Sequence, residues 1–217
     1  MLQFMTFRRA ATVALLAVAG CGGGDGESDR AVEGLPGDVP AAQAIPAPRP
    51  QPQAPPPISL EVNLAEREIY VIRNGERVAT HPVAVGSDEW PTPTGEWSVA
   101  QVIWNPRWIP PAEEWAEDEE GNEPGDPDNP LGRAQLVYAA PNSVHGTNDP
   151  SSLGKAVSHG SIRVSNAVAT DLARQVMEAG GAGRDEAWYQ AAMDNPTERH
   201  DVSIPNPIPI RVVAGEG

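Results

Sequence analysis

Cysteine is almost missing from this 217-residue chain, and its single Cys excludes an intramolecular disulfide and a cysteine-based zinc site. Positive charge is also scarce. Lys and Arg number 15 against 30 Asp and Glu, a formal net charge of −15, which argues against a nucleic-acid binder held through phosphate contacts. No apolar run is long enough to span a bilayer comfortably; the one candidate, Ala10 to Gly20, has the length of a secretory h-region. The length suits one ordinary domain with extensions and is too little for two large ones. What the chain has in abundance is Pro (24) and Gly (21), unevenly spread. That fits a β-rich body with many turns, or a smaller domain with a disordered segment attached.

The N-terminus reads as an address. Arg8 and Arg9 precede the apolar run, which ends Val18-Ala19-Gly20-Cys21. That ending resembles a bacterial lipobox, and the resemblance implies a signal peptide over 1–20, cleavage before Cys21 and lipid attachment to its sulfur. The bland alternative is an ordinary small-residue cleavage site with Cys21 incidental. Gly22, rather than Asp, after the lipidated position favours the outer membrane if the host is diderm. From Gly22 to Pro57 the chain holds nine Pro and six Gly in 36 residues, with almost no bulky apolar side chain. Residues 21–57 therefore read as a lipidated Cys and a disordered tether that cannot bury a core. In polyproline form such a tether reaches on the order of 100 Å.

The body, 58–214, reads as β first. Ile58, Leu60, Val62 and Leu64 alternate with polar positions, the period of a half-buried strand. Ile69–Ile72 is a second run; Asn74-Gly75 predicts a type I′ hairpin turn, and Arg77–Val85 the returning strand. Further strands are expected over Glu96–Ile103, Gln135–Ala139 and Ile208–Val213, with Pro209 implying an edge or a strand start. One helix is well marked: Ser165 or Asn166 as cap, Val168, Leu172 and Val176 as an apolar stripe, Gly180-Gly181 as the end. A second, weaker helix is expected from Asp185 to Met193 before Asn195-Pro196 stops it.

A long loop, 104–132, stands apart. Glu113–Asp128 holds nine acidic residues and no basic one, with Trp104, Trp108 and Trp115 nearby. Loops of this length in compact domains often serve as lids, and we expect this one to line the mouth of a site. A solvated acidic surface is the competing reading.

The chemistry concentrates in Val144-His145-Gly146-Thr147 and Ser158-His159-Gly160-Ser161-Ile162-Arg163. These segments resemble the catalytic domain of the L,D-transpeptidases, the YkuD family. Thr92-Pro93-Thr94-Gly95-Glu96-Trp97, Asn105-Pro106-Arg107-Trp108 with Pro110-Pro111, Asn129-Pro130-Leu131-Gly132, and Asn148-Asp149-Pro150 through Ser152-Leu153-Gly154 follow in the family's order. The resemblance spans roughly 58–178 and 207–213, so that residues 181–205 look like an insertion before the last strand. It implies a mainly β fold, an L,D-transpeptidase-type β-sandwich with one principal α-helix. It also implies an acyl transferase working on peptidoglycan stem peptides, in the periplasm or cell wall.

At Ser161 the chain departs from the family, which places a nucleophilic Cys there. A thiol near pKa 8.5 becomes a thiolate beside an imidazole, whereas a hydroxyl keeps its proton until a base removes it during attack. The resemblance makes His145 that base and Ser161 the attacker of the carbonyl before a terminal D-Ala, with backbone amides around Gly160 and Ser161 binding the oxyanion. Gly160 allows the tight turn behind the nucleophile, and Gly146 belongs to the His145 motif. His159 is a supporting residue and Arg163 a clamp on a carboxylate of the strand network or of substrate. No motif places a carboxylate to orient His145; Asp149 is near only in sequence. With no third ligand at a recognisable spacing beside His145 and His159, no metal is expected, and no other cofactor. His81 and His200, outside any motif, read as surface or structural. Two other functions stay open: a pseudoenzyme that binds stem peptides without turnover, Ser161 being a remnant, and a serine-type L,D-carboxypeptidase or amidase.

Overall fold

The computed structural model describes residues 57–215. The expected signal peptide, Cys21 and the tether up to residue 56 lie outside the described residues. No helix among the described residues is long and apolar enough to cross a membrane.

The body is mainly β, as expected. Strand β1 (Ser59–Asn63) forms where Ile58, Leu60 and Val62 alternate with polar residues, and all three apolar side chains are buried. β2 (Glu68–Arg73) and β3 (Glu76–Pro82) are the expected hairpin. Asn74 (φ +50°) and Gly75 (φ +86°) both take the left-handed backbone that a type I′ turn requires. The returning strand stops at Pro82, earlier than expected. Beyond it Ala84 exchanges two backbone hydrogen bonds with Arg163, each 2.9 Å, so the chain leaves the hairpin to hold another segment. Val85 belongs to β4 (Val85–Gly86), which pairs in parallel with β8 (Ala156–Ser158) as a separate two-stranded sheet.

The larger sheet adds β5 (Gly95–Trp104), β6 (Ala134–Ala139), β7 (Asn142–His145), β9 (Ile162–Arg163) and β10 (His200–Val213). Its eight strands run in the order β3-β2-β1-β10-β5-β6-β7-β9. Only β1–β10 and β7–β9 are parallel pairs. Strands β7, β8 and β9, two to four residues long, are too short for alternation to reveal and exist through their pairing.

The last strand corrects the expected boundary. It begins at His200, not Ile208, and lies between β1 and β5, not at an edge. Pro209 is tolerated because the β1 register starts only at Leu60↔Ile210, so at Pro209 the strand has β5 alone as a partner. The register shift between Ser203 and Ile208 accommodates the other prolines.

Helix α1 (Asn166–Ala179) is capped by Ser165, whose hydroxyl accepts from the Val168 N–H. Leu172, Val176 and Met177 face β5, β6 and β10. It ends as the glycine pair predicts: Gly181 (φ +79°) is left-handed, and the Ala182 N–H reaches the Met177 carbonyl at 2.7 Å, a Schellman closure. Helix α2 (Glu186–Asp194) is capped by Asp185. The segment read as an insertion is thus partly core: Ala182, Tyr189, Ala192, Val202 and Ile204 are buried. Tyr189 and Trp188 pack on Trp104 at ring distances of 5.7 and 5.8 Å, and Trp104 donates to the Met177 sulfur at 3.2 Å. Because the Tyr189 ring closes this cluster, Tyr189→Ala should destabilise the fold by about 3 kcal/mol. A urea midpoint within error of the parent's would show that α2 is peripheral.

Candidate active site

Two short strands and the turn before one of them assemble the site. In the parallel pair β7–β9, Val144 lies opposite Ile162 and His145 opposite Arg163. This register brings Ser161, the residue just before β9, to the strand that ends in His145. Both line one cavity of about 600 Å³, together with Ser143, Ser158, His159 and Arg163.

The turn that carries Ser161 is held from several sides. Gly160 has φ +96°, the left-handed region, and a Cβ there would sit 3.0 Å from Asn142 Oδ1. The buried Ser158 hydroxyl donates to the Ser161 carbonyl at 2.5 Å. The Ser143 N–H donates to Ser161 Oγ at 3.3 Å. A donor on that oxygen stabilises charge developing there and leaves the hydroxyl proton free for an acceptor.

His145 is buried, and its Nδ1 lies 2.6 Å from the Gly146 carbonyl. A carbonyl only accepts, so Nδ1 carries the hydrogen and Nε2 keeps its lone pair, the tautomer a general base needs. The orienting group is therefore main chain. The Asp149 carboxylate is engaged elsewhere, accepting from the Ser151 N–H (3.1 Å) and hydroxyl (2.7 Å). Burial lowers the His145 pKa to about 4; the Gly146 carbonyl opposes the shift and the Arg163 charge adds to it.

Arg163 forms no ion pair among the described residues, so the clamp on a strand-network carboxylate is not realised; its side chain faces the cavity, and burial lowers its pKa. His159 is a stacking residue. Its ring lies 3.8 Å from Trp115, nearly parallel at 6°, and 4.4 Å from Trp90. Burial pushes its pKa down, against the opposing pull of Glu113, Glu89 and Glu119. Gly146 has no room for a side chain: a Cβ would collide with Asn166 Oδ1. His200 packs on Trp188 at 5.1 Å, and His81 sits on β3. Among the described residues no cluster of His, Cys, Asp or Glu is arranged to hold a metal.

The acidic loop forms the far wall. Arg107, Trp108, Ile109, Glu113, Trp115 and Glu119 all line the cavity. Trp115 rides on a 3₁₀ turn (Glu114–Ala116) and donates to Glu113 at 2.7 Å. Motif reading missed Ser143, Trp90 and the second task of Asn166. Asn166 was a candidate cap; the structure gives the cap to Ser165, while the Asn166 amide binds the Arg133 N–H and the Thr147 carbonyl.

The family model described as the L,D-transpeptidase catalytic domain (YkuD) matches residues 57–198. A putative L,D-transpeptidase, YqjB of Bacillus subtilis, is 34% identical over 111 residues, 48% of this chain and 58% of that protein. The putative L,D-transpeptidase YkuD of Bacillus licheniformis is 31% identical over 118 residues, 54% of this chain and 59% of that protein. The aligned stretch thus spans under two thirds of the length of either relative. Among solved structures, an L,D-transpeptidase from Xylanimonas cellulosilytica aligns over 76% of this chain and 64% of that one, with 16% identity and a TM-score of 0.45.

The buried imidazole generates a pH dependence. Unfolded, His145 titrates near 6.5; folded, near 4. Between these values the unfolded chain binds the extra proton, so stability is complete above pH 6.5 and falls as pH drops toward 4, by about 3 kcal/mol. In chemical unfolding at pH 7 and pH 4, the gap between the parent and His145→Gln should shrink by that amount. A gap independent of pH would refute the buried neutral state.

Proposed function

Because the chain belongs to the L,D-transpeptidase catalytic-domain family, we propose that it is a peptidoglycan-modifying acyl transferase in which Ser161 and His145 do the chemistry. The observation that carries this reading is the shared cavity: a half-buried hydroxyl and a buried imidazole of base tautomer open into one space of about 600 Å³. Ser161 Oγ attacks the carbonyl before the terminal D-Ala of a tetrapeptide stem, and its proton passes to His145 Nε2. Collapse of the tetrahedral intermediate breaks the peptide bond, and the same proton leaves on the D-Ala amine. The ester that remains is resolved by an amine of a second stem, or by water, with His145 taking and returning the proton. The lipid at Cys21 and the tether would hold this body near the wall.

Hydroxyl and imidazole are unequal partners. A base whose pKa is held near 4 is neutral at pH 7 but pulls a proton weakly. That observation favours a slow enzyme and keeps a second reading in play, a stem-peptide-binding lipoprotein without turnover.

The full chain, incubated with a disaccharide-tetrapeptide, should release D-Ala slowly. Release should fall at least about a hundredfold in Ser161→Ala and rise about tenfold or more in Ser161→Cys, whose thiol needs less help from the base. Release that persists in Ser161→Ala would put the nucleophile elsewhere. A silent parent with an active Ser161→Cys variant would establish the binding protein.

A further inference from the structure

The two ends of the cavity loop meet in a polar cluster built on Asn105 and on Arg133, a residue outside the sequence motifs. Asn105, just after β5, has a left-handed backbone (φ +49°) and donates its N–H to the Arg133 carbonyl at 2.8 Å. Arg133, just before β6, returns its Nε to Asn105 Oδ1 at 2.9 Å. The loop is thus closed at its base by a main-chain and a side-chain bond. Both residues also reach across to the end of α2. The Asn105 amide donates to the carbonyls of Ala192 (2.9 Å), Asn195 (3.1 Å) and Glu198 (2.9 Å). Arg133 donates to those of Met193 (2.8 Å) and Ala192 (3.3 Å).

The choice of partners is informative. Arg133 forms no ion pair among the described residues, although this chain is rich in carboxylates, and burial lowers its pKa. Its acceptors are an amide oxygen and the last-turn carbonyls of α2, the electronegative end of a helix. A guanidinium suits them because its fixed fork reaches acceptors on two sides at once, which an ammonium on a flexible stem does not.

The cluster extends to the site. The main-chain N–H of Arg133, held in place by the side-chain fork, donates to Asn166 Oδ1 at 3.0 Å, and the Asn166 amide donates to the Thr147 carbonyl at 3.1 Å. A Cβ added at Gly132 or at Gly146 would collide with Asn166 Oδ1, so this amide sits in a slot with no slack. One wall of the slot is Gly146, whose carbonyl orients His145.

We propose that Arg133 is a positioning residue that locks both ends of the cavity loop to the C-terminal end of α2 and, through Asn166, sets the Gly146 carbonyl that aligns His145. The segment 181–205 then has a task, as the buttress against which the cavity wall is fixed. The consequence for turnover rests on the Ser161–His145 reading; the positioning itself does not.

The test uses the full chain with Arg133, Arg133→Lys and Arg133→Met, and two measurements that need no turnover. Hydrogen exchange follows peptides of 105–131, with those of β1 and β10 as internal controls. Nitrogen NMR of labelled histidine reads the tautomer of His145, assigned through His145→Gln. In Arg133→Met, loop protection should fall about tenfold and His145 should drift toward the mixed tautomers of an unrestrained imidazole, while the controls hold. Arg133→Lys should lose about threefold in protection, because charge survives without the fork. The proposal is overturned if Arg133→Lys matches Arg133 in both measurements, or if a folded Arg133→Met leaves both unchanged. Should Arg133→Met fail to fold, Arg133→Lys decides alone. A parent that releases no D-Ala while both measurements respond would sink the enzyme reading and leave the positioning role standing.

Discussion

The site depends on one short parallel pairing. With Val144 opposite Ile162 and His145 opposite Arg163, the strand that ends in the imidazole runs beside the strand that begins just after the Ser161 hydroxyl. Side chains alternate across a strand, so a slip of one residue would turn His145 or Arg163 to the other face. A two-residue strand has too few ladder bonds to hold its own register. It is held from outside: Ala84 bonds both backbone groups of Arg163, the Val164 N–H reaches the His145 carbonyl at 2.9 Å, and β6 fixes the other side of β7. The early departure of the chain from the β3 hairpin makes the Ala84 contact possible.

Electrostatics follow from that placement. A buried carboxylate would have stabilised the imidazolium and raised its pKa; the main-chain carbonyl that takes its place carries no net charge. Burial therefore dominates over the Gly146 carbonyl, with a smaller contribution from the Arg163 charge, and His145 stays neutral. The Gly146 carbonyl fixes the useful tautomer while burial makes the imidazole a weaker proton acceptor, a tension that a thiol tolerates better than a hydroxyl. Across the cavity, Trp115 carries the acidic loop onto His159, so the loop meets the Ser161 turn through an aromatic stack.

Much of the frame was legible in the chain. Alternation at Ile58–Leu64, the Asn74-Gly75 turn, the cap at Ser165 and the glycine pair at 180–181 are local signals, and each is borne out. The misses share a cause. β7, β8 and β9 are too short to show a period. The start of β10 lies before Ile208, but Pro205, Pro207 and Pro209 disguise the strand: the first two fall in a register shift, and Pro209 pairs with β5 alone. The segment 181–205 looked peripheral because its buried side chains, such as Tyr189 and Ala192, are core only relative to Trp104 and the base of the loop.

The site divides in the same way. Sequence by itself determined which residue types are present and in what order: the His145 and Ser161 motifs, the glycine that allows a tight turn at 160, the acidic loop with its indoles. Local chemistry suffices for these, since glycine, proline and capping residues act on their immediate neighbours. Only the tertiary structure decided that a carbonyl rather than a carboxylate orients His145, that His159 stacks on Trp115 with Trp90 tilted against it, and that Arg133 joins the loop to α2. Those outcomes turn on distances between segments far apart in the chain, where burial and the geometry of a few hydrogen bonds, not residue order, select the partner.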